Sequence, residues 1–257
     1  LTTAGTSSTD IKVVPESYFP ELTHQPNSLD LPLKTKFNFL TVGVLTGMTP
    51  ETDRKNLFYL IKWFVEEFKN DKDVGLIVKT CRGRESTIDR ELTRRMFKQL
   101  LRECGHEAFP RIYLLHGDMK REEMNSLYKE PSIKALLSCT RGEGFGLPLL
   151  EAAVAGLPVI ATGWSAHTEF LNKGKWLSLD YDIKPIDKSR LDNEIFVPGA
   201  KWAEVKENSF KKVVRKFKQS HVTPETWAND LSDVLITEYS EKSIFKKYDE
   251  ALGGILI

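Results

Sequence analysis

Ser138-Cys-Thr-Arg-Gly-Glu-Gly-Phe-Gly-Leu-Pro-Leu-Leu-Glu-Ala-Ala-Val-Ala-Gly-Leu-Pro-Val-Ile-Ala-Thr162 is the stretch that decides the fold. Taken with the residues just before it, it reads as a buried strand, a glycine-rich turn, a short helix and a second buried strand. Ile133 to Cys139 is a nearly continuous apolar run, the pattern of a parallel strand covered on both faces. Gly142, Gly144 and Gly146 follow, and a turn without Cβ atoms lets a ligand approach the main chain. Pro148 suits the first helical position, and Gly156 the position just past the helix end. Free backbone N–H groups near Gly146 to Leu149 therefore point out of a helix N-terminus, where the macrodipole attracts anions, phosphate above all.

Two carboxylates bracket that turn. Glu151 lies about one turn into the helix, near the expected pocket rim, and a carboxylate that only accepts hydrogen bonds suits a ribose diol. Glu143 lies before the helix, on the far side of the phosphate position, where it can face a sugar. A phosphate flanked by hydroxyl-bearing groups is the chemistry of a sugar nucleotide. Each acid alone is equally consistent with a structural role, Glu151 complementing the dipole and Glu143 being solvated. The spacing is Gly-x-Gly-x-Gly rather than Gly-x-Gly-x-x-Gly, which disfavours a nicotinamide or flavin site.

Outward from this unit the pattern alternates. Strands are expected over 37–45, 74–79, 112–116, 133–139 and 157–162, and helices over 54–68, 87–104 and 121–129. This is an α/β chain: a Rossmann-like parallel sheet with helices on both faces, its ligands at the carboxyl ends of the strands. Residues 1–35 read as a linker and lead-in, with loop over 1–10, a short strand over 11–16 and a surface wrap over 24–33. Residues 36–257 read as the Rossmann-like domain and its C-terminal helices. Thr223-Pro-Glu-Thr226 is expected to open a helix with a Thr cap and a proline at its first position, and Trp227, Leu231, Val234 and Leu235 form its packing stripe.

The 257 residues suffice for a substantial core, and a formal net charge of +1 gives no reason to expect nucleic acid. Lys211, Lys212, Arg215, Lys216 and Lys218 recur at helical spacing and read as a solvated helix face, in preference to an anionic membrane contact. Cys81, Cys104 and Cys139 are scattered and odd in number, which fits a reducing cytoplasm and no disulfide framework. No apolar run is long enough to span a bilayer and no signal peptide is read. Asp180-Tyr-Asp182 formally matches an Asp-x-Asp metal motif, but such tripeptides are common by chance, and no metal site is expected. His167, a lone histidine, is expected at the surface or satisfied internally.

Arg141-Gly-Glu-Gly-Phe-Gly-Leu-Pro-Leu-Leu-Glu-Ala152 resembles the E-x7-E signature of the retaining family 4 glycosyltransferases of the GT-B fold. Gly156 to Ala161 and Glu169 to Leu171 continue the likeness, as do the "v-v-P" segment near Pro15 and the Trp202-Ala-Glu204 passage. The resemblance implies that Glu143, the catalytic-site acid, contacts the donor hexose and that Glu151 holds the ribose. It implies backbone contacts to donor sugar and phosphate from Gly144, Phe145, Gly146 and Leu147. Lys55 matches the lysine that grips the diphosphate. The family's usual Gly-Arg is Gly43-Val44 here, so Arg54 is taken as the substitute arginine, with Arg82 or Arg84 in reserve. Lys79 can reach the diphosphate or serve as an ordinary strand end. Gly117, Asp118 and Met119 stand where the family places the base; the same segment reads equally as a turn with Asp118 as a helix cap, and it does not distinguish uracil from guanine.

The resemblance covers only half of a GT-B enzyme, so the N-terminal acceptor-binding domain is expected to be missing from this chain, leaving it inactive alone. The expected reaction is transfer of a hexose from a UDP- or GDP-sugar to an acceptor with retention, without a metal or other cofactor. Residues 244–256 are expected to cross back toward the N-terminal domain, with Ile255-Leu-Ile257 as a docking surface. Two rivals are a nucleotide-sugar-binding module without chemistry and a GT-B-like UDP-sugar epimerase.

Overall fold

The computed structural model describes residues 12–47, 49–81, 83, 85–105 and 108–253. The reserve arginines Arg82 and Arg84, the loop over 1–10 and the apolar end Ile255–Ile257 lie outside the described residues.

Six parallel strands form the sheet: β1 (Phe37–Val42), β2 (Val74–Thr80), β3 (Arg111–His116), β4 (Ile133–Ser138), β5 (Val159–Thr162) and β6 (Leu177–Leu179). Their spatial order is β3-β2-β1-β4-β5-β6, so the chain reverses direction across the sheet between β1 and β4. The alternation of side chains along each strand divides the core in two. Leu40, Ile77 and Leu136 face one layer, built with α3 (Arg121–Tyr128), α4 (Leu147–Val154) and α7 (Val222–Glu238). Phe39, Leu76, Val78, Ala135 and Leu137 face the other, built mainly with α1 (Leu57–Phe68) and α6 (Glu207–Gln219). Helix α2 (Thr87–Glu103), opened by a Ser86–Asp89 capping box, is largely exposed and buries only Thr93 and Phe97. The expected doubly covered parallel sheet is therefore the fold.

Beneath β1 lies a buried polar knot. Asn38 Nδ2 donates to the Thr35 and Ser132 carbonyls at 3.0 and 3.2 Å, and Thr35 Oγ1 donates to Asn38 Oδ1. Gly75 of β2 packs directly on it: a Cβ there would stand 2.3 Å from Asn38 Oδ1 and 2.6 Å from Thr35 Oγ1. Gly75→Ala is expected to cost about 1–3 kcal/mol through this overpacking. A thermal melt would check it, and an unchanged Tm would show that the knot yields freely.

Five expectations change. No strand forms over 12–16; just beyond it, the Tyr18 N–H donates to the Tyr239 carbonyl at 3.3 Å. Strand β1 stops at Val42, three residues before the expected end, and the chain leaves the sheet for the loop that carries Arg54 and Lys55. Helix α1 starts at Leu57 rather than Arg54, because a buried carboxylate caps it there and keeps the preceding residues in the loop. Helix α7 starts at Val222 after an uncapped His221, so Pro224 is its third residue; first-turn N–H groups have no helical acceptor, so the proline costs nothing there. The basic face of α6 is not simply solvated. Lys211, Arg215 and Lys218 bond to Glu66, Glu67 and Asp71 at 2.6, 2.5 and 2.7 Å, forming a charged seam with α1 and the turn after it. Those three cations are paired within the protein, while Lys212 and Lys216 are exposed, as expected of a solvated face. Among the described residues no helix is long and apolar enough to cross a membrane.

An antiparallel pair, β7 (Tyr181–Pro185) and β8 (Lys201–Val205), follows the sheet. The last helix is α8 (Glu241–Leu252).

Candidate functional site

In an open α/β sheet, a crevice forms where adjacent strands send their connections to opposite faces. Here that place is between β1 and β4, and the loops leaving those two strands carry Arg54, Lys55 and Glu143.

Asp53, a fully buried carboxylate, ties parts of the β1 loop together. Its Oδ1 accepts from the Thr46 N–H (3.1 Å), Thr46 Oγ1 (2.9 Å) and the Lys55 N–H (3.2 Å). Its Oδ2 accepts from the Leu57 N–H at 2.7 Å, so Asp53 acts as the cap of α1 from four residues upstream. A negative group suits that helix end. Asn56 takes a left-handed conformation at φ 56° to close the turn. Arg54 and Lys55 are thereby held in a loop, not in the helix as the sequence suggested.

The β4 loop enters α4 through Gly146, at φ 98°. A Cβ on Gly146 would lie 3.0 Å from His167 Cβ and 3.1 Å from Leu149 Cδ1, so both conformation and space require glycine. At the far end, Gly156 (φ 76°) closes the helix: the Leu157 N–H donates to Ala152 O at 2.9 Å and the Gly156 N–H to Ala153 O at 3.1 Å. Among the described residues, the N–H groups of Gly144, Phe145, Gly146 and Leu147 have no protein acceptor. Four unpaired donors at a helix N-terminus make an anion site.

Arg54, Lys55 and Glu143 meet at this place. Lys55 Nζ lies 2.7 Å from Glu143 Oε1, and an Arg54 terminal nitrogen lies 3.2 Å from Oε2. Arg54 also donates to the Gly142 carbonyl. Burial alone would raise the Glu143 carboxyl, but the charge and hydrogen bond of Lys55, the Thr140 hydroxyl and the Arg54 charge together outweigh it and hold the group below the usual carboxylate range.

Behind this cluster stands Arg141, 2% exposed, which the sequence alone does not single out. It donates to the Pro50 and Asp53 carbonyls at 2.6 and 2.8 Å and pairs with Glu204 of β8 at 2.7 Å. Its guanidinium lies 4.8 Å from the Trp202 ring and 6.0 Å from that of Tyr59. An arginine immediately before the glycine turn was the available signal.

Glu151 lies on the other side of Leu147. It borders a cleft of ≈ 330 Å³ shared with Tyr18, Phe19, Met119 and Arg121. The Tyr128 hydroxyl donates to Glu151 Oε2 at 2.9 Å. Desolvation pushes the Glu151 carboxyl up to about 7, against the pull of the Tyr128 hydrogen bond and the Arg121 charge.

The remaining candidates divide. Met119 lines the Glu151 cleft. Lys79 is buried and donates to the Gly117 carbonyl; its charge bears on Glu85 and Asp118. Asp118 is exposed and shares a hydrogen bond with Glu85, which raises its carboxyl. It does not cap α3, because the Glu123 carboxylate accepts from the Lys120 N–H at 2.7 Å instead. His167 is fully buried, its Nε2 2.7 Å from the Thr162 carbonyl and its Nδ1 unpartnered. Asp180 and Asp182 are exposed, and Asp182 pairs with Lys206 at 3.0 Å.

Known proteins resemble this chain in sequence or in fold. A sucrose synthase from Melioribacter roseus is 25% identical over 209 residues, 77% of this chain but 23% of that protein. The sucrose-phosphate synthase structure from Thermosynechococcus elongatus superposes with a TM-score of 0.64 at 15% identity, over 95% of this chain and 52% of that one. S. aureus TarM, a mutant solved with fondaparinux, α-GlcNAc-glycerol and UDP, superposes with a TM-score of 0.60 at 15% identity, over 96% of this chain and 40% of that one. The chain thus spans about half or less of each protein. The family model for "Glycosyl transferases group 1" matches residues 52–189, more than half of the chain, from the loop before α1 to the turn after β7. With the six-stranded Rossmann-like sheet, that match makes the chain a member of the group 1 glycosyl transferases, with the fold of their C-terminal GT-B domain.

Proposed function

We propose that this domain binds the nucleotide-sugar donor of a retaining hexosyl transfer, a UDP- or GDP-sugar. The observation that carries the reading is the meeting of Arg54, Lys55 and Glu143 at four unpaired N–H groups, with Glu151 in the adjoining cleft. The donor diphosphate sits on the N–H groups of Gly144, Phe145, Gly146 and Leu147 and is gripped by Arg54 and Lys55. Glu151 accepts hydrogen bonds from the ribose hydroxyls, and the base lies toward Gly117, Asp118 and Met119. Lys79 supports the base side by holding the Gly117 carbonyl. Glu143 turns to the hexose.

As the bond between the anomeric carbon and phosphate breaks, the leaving diphosphate takes the electron pair. Two cations and a helix N-terminus stabilise that charge, the task a metal performs elsewhere. Glu143 orients the sugar and stabilises positive charge near the anomeric carbon without forming a covalent bond. The acceptor, held by a companion domain of the GT-B architecture without which turnover is absent, bonds its hydroxyl oxygen to the anomeric carbon on the face the diphosphate leaves and gives its proton to the departing phosphate. The three cysteines Cys81, Cys104 and Cys139 are free thiols, which suits work in the reducing cytoplasm.

The test is calorimetric titration with UDP, GDP and their glucose and mannose conjugates, without added metal. One nucleotide family should bind, and Lys55→Ala should weaken it by at least about tenfold through loss of a charge-assisted phosphate bond. Unchanged affinity in a folded Lys55→Ala protein would remove the diphosphate from this place.

A further inference from the structure

Glu143 has two claims on it. In the free protein both of its oxygens are engaged, one by Lys55 at 2.7 Å and the other by Arg54 at 3.2 Å. Its side chain is only 6% exposed, and the two cations have no other carboxylate partner among the described residues. The cations assigned above to the donor diphosphate are therefore already neutralised by a carboxylate of the protein itself.

Resting on that donor-site reading, we infer that Glu143 is the residue by which the site discriminates an intact nucleotide-sugar from the bare nucleoside diphosphate. An arriving diphosphate must take Arg54 and Lys55 away from Glu143. The displaced carboxylate is then buried without a cation, a costly state unless other donors reach it. Hexose hydroxyls supply those donors. A bare nucleoside diphosphate supplies none, and its terminal phosphate adds negative charge facing the carboxylate. The same displacement is thus compensated for the donor, whereas for the leaving product only the Thr140 hydroxyl stays with the carboxylate, so the product binds less tightly than its phosphate contacts alone would allow.

The local backbone restricts the rearrangement to the side chain. The Glu143 N–H donates to Ser165 Oγ at 2.8 Å, and the Ser165 hydroxyl donates back to the Glu143 carbonyl at 2.8 Å. Ser165 itself is held in a left-handed conformation, φ 97°, which a non-glycine residue keeps only when its surroundings enforce it. The Thr168 N–H and hydroxyl, both donating to the Ser165 carbonyl at 3.0 and 2.7 Å, do so. Glu143 can swing from cations to sugar about its own χ angles while its main chain stays clamped.

The experiment is calorimetric titration of wild type, Glu143→Gln and Lys55→Ala with UDP, GDP, UDP-glucose and GDP-mannose. Glu143→Gln should bind the bare nucleoside diphosphate at least about tenfold tighter than wild type, equivalent to about 1.4 kcal/mol. Its affinity for the nucleotide-sugar should stay level or fall, so the ratio between the two ligands shifts toward the bare diphosphate. Glu143→Ala carries the same expectation and keeps the test open if the glutamine variant does not fold. Unchanged or weaker binding of the bare diphosphate by a folded variant overturns the inference while leaving the donor site standing, provided Lys55→Ala still weakens binding at least about tenfold. If Lys55→Ala binds like wild type, or no protein binds any nucleotide, the donor site and the inference both fall.

Discussion

Arg141→Met should lower the unfolding free energy by about 3–5 kcal/mol, the usual cost of removing one partner from a buried ion pair. Methionine roughly fills the space but supplies no donor. The Pro50 and Asp53 carbonyls, now bonded at 2.6 and 2.8 Å, would lose their donor in a site where Arg141 is 2% exposed. Glu204 would keep its charge without its cation, and the rings of Trp202 and Tyr59 would lose the guanidinium above them. The consequence reaches the ligand site, because both carbonyls belong to the loop that presents Arg54 and Lys55. The Arg141 backbone N–H, which methionine also supplies, holds only one further point of that loop, the Arg54 carbonyl at 2.8 Å. Nucleotide affinity should therefore fall in the folded fraction as well. Urea denaturation and titration of the same sample measure the two effects. A stability loss under about 1 kcal/mol, the worth of one ordinary hydrogen bond, would mean that Asp53 alone holds the loop. Glu204→Gln is the informative companion: it keeps a hydrogen-bond acceptor on β8 and removes only the charge, so it should cost less than Arg141→Met.

The parts legible in the sequence were those governed by local rules. Strand β4, the glycine turn and α4 follow one another within 22 residues of chain (Ile133–Val154), each announced by its own residue types, and the structure keeps that order. Lys55, Arg54 and Glu143 were each singled out, but their mutual pairing spans nearly 90 positions and depends on the strand order β1-β4, which alternation alone does not supply. Arg141 was missed for the same reason: its partners Pro50, Asp53 and Glu204 are remote in sequence, and an arginine beside a glycine turn looks exposed until β8 is folded against it. The helix boundary at Leu57 failed more locally. Asp53 caps α1 from four positions upstream through a left-handed Asn56, and neither residue advertises that geometry. Lys79 read as a diphosphate ligand or a solvated strand end, whereas parallel pairing with β3 brings the Gly117 carbonyl to it.

Glu151 carries the other large effect, and here binding and stability move in opposite directions with pH. Burial pushes its carboxyl up to about 7, so near neutrality the group is half protonated. A ribose diol donates two hydrogen bonds, and only the ionised carboxylate accepts both while the Tyr128 hydroxyl keeps its own at 2.9 Å. In the proposed ribose role, each pH step of one below the folded value costs about 1.36 kcal/mol of binding. Affinity should rise about tenfold per pH step from pH 5 toward 7 and level off above, about a hundredfold in all. The ligand phosphate titrates in the same range, so Glu151→Gln, which retains that background alone, is the reference curve. Wild-type and variant curves that run parallel would take Glu151 out of the ribose site.

For stability the sign reverses. A folded-state value raised above the ordinary one means that the native protein holds a proton the unfolded chain releases. That contribution is complete below the ordinary carboxylate range and is lost as pH rises through about 7. Above that point a mostly buried carboxylate is ionised with only a tyrosine hydroxyl and a distant arginine to balance it. Glu151→Gln should then be more stable than wild type at pH 8 by up to about 3 kcal/mol, the free energy that separates the raised carboxyl from an ordinary one, and the two should converge toward pH 4. A binding residue that destabilises the empty protein where it works best is what a site built for ligand rather than for packing should show. Denaturation midpoints for the pair at pH 4 and pH 8 decide it: if the variant is the less stable protein at both, Glu151 serves the fold through Tyr128 rather than the ligand.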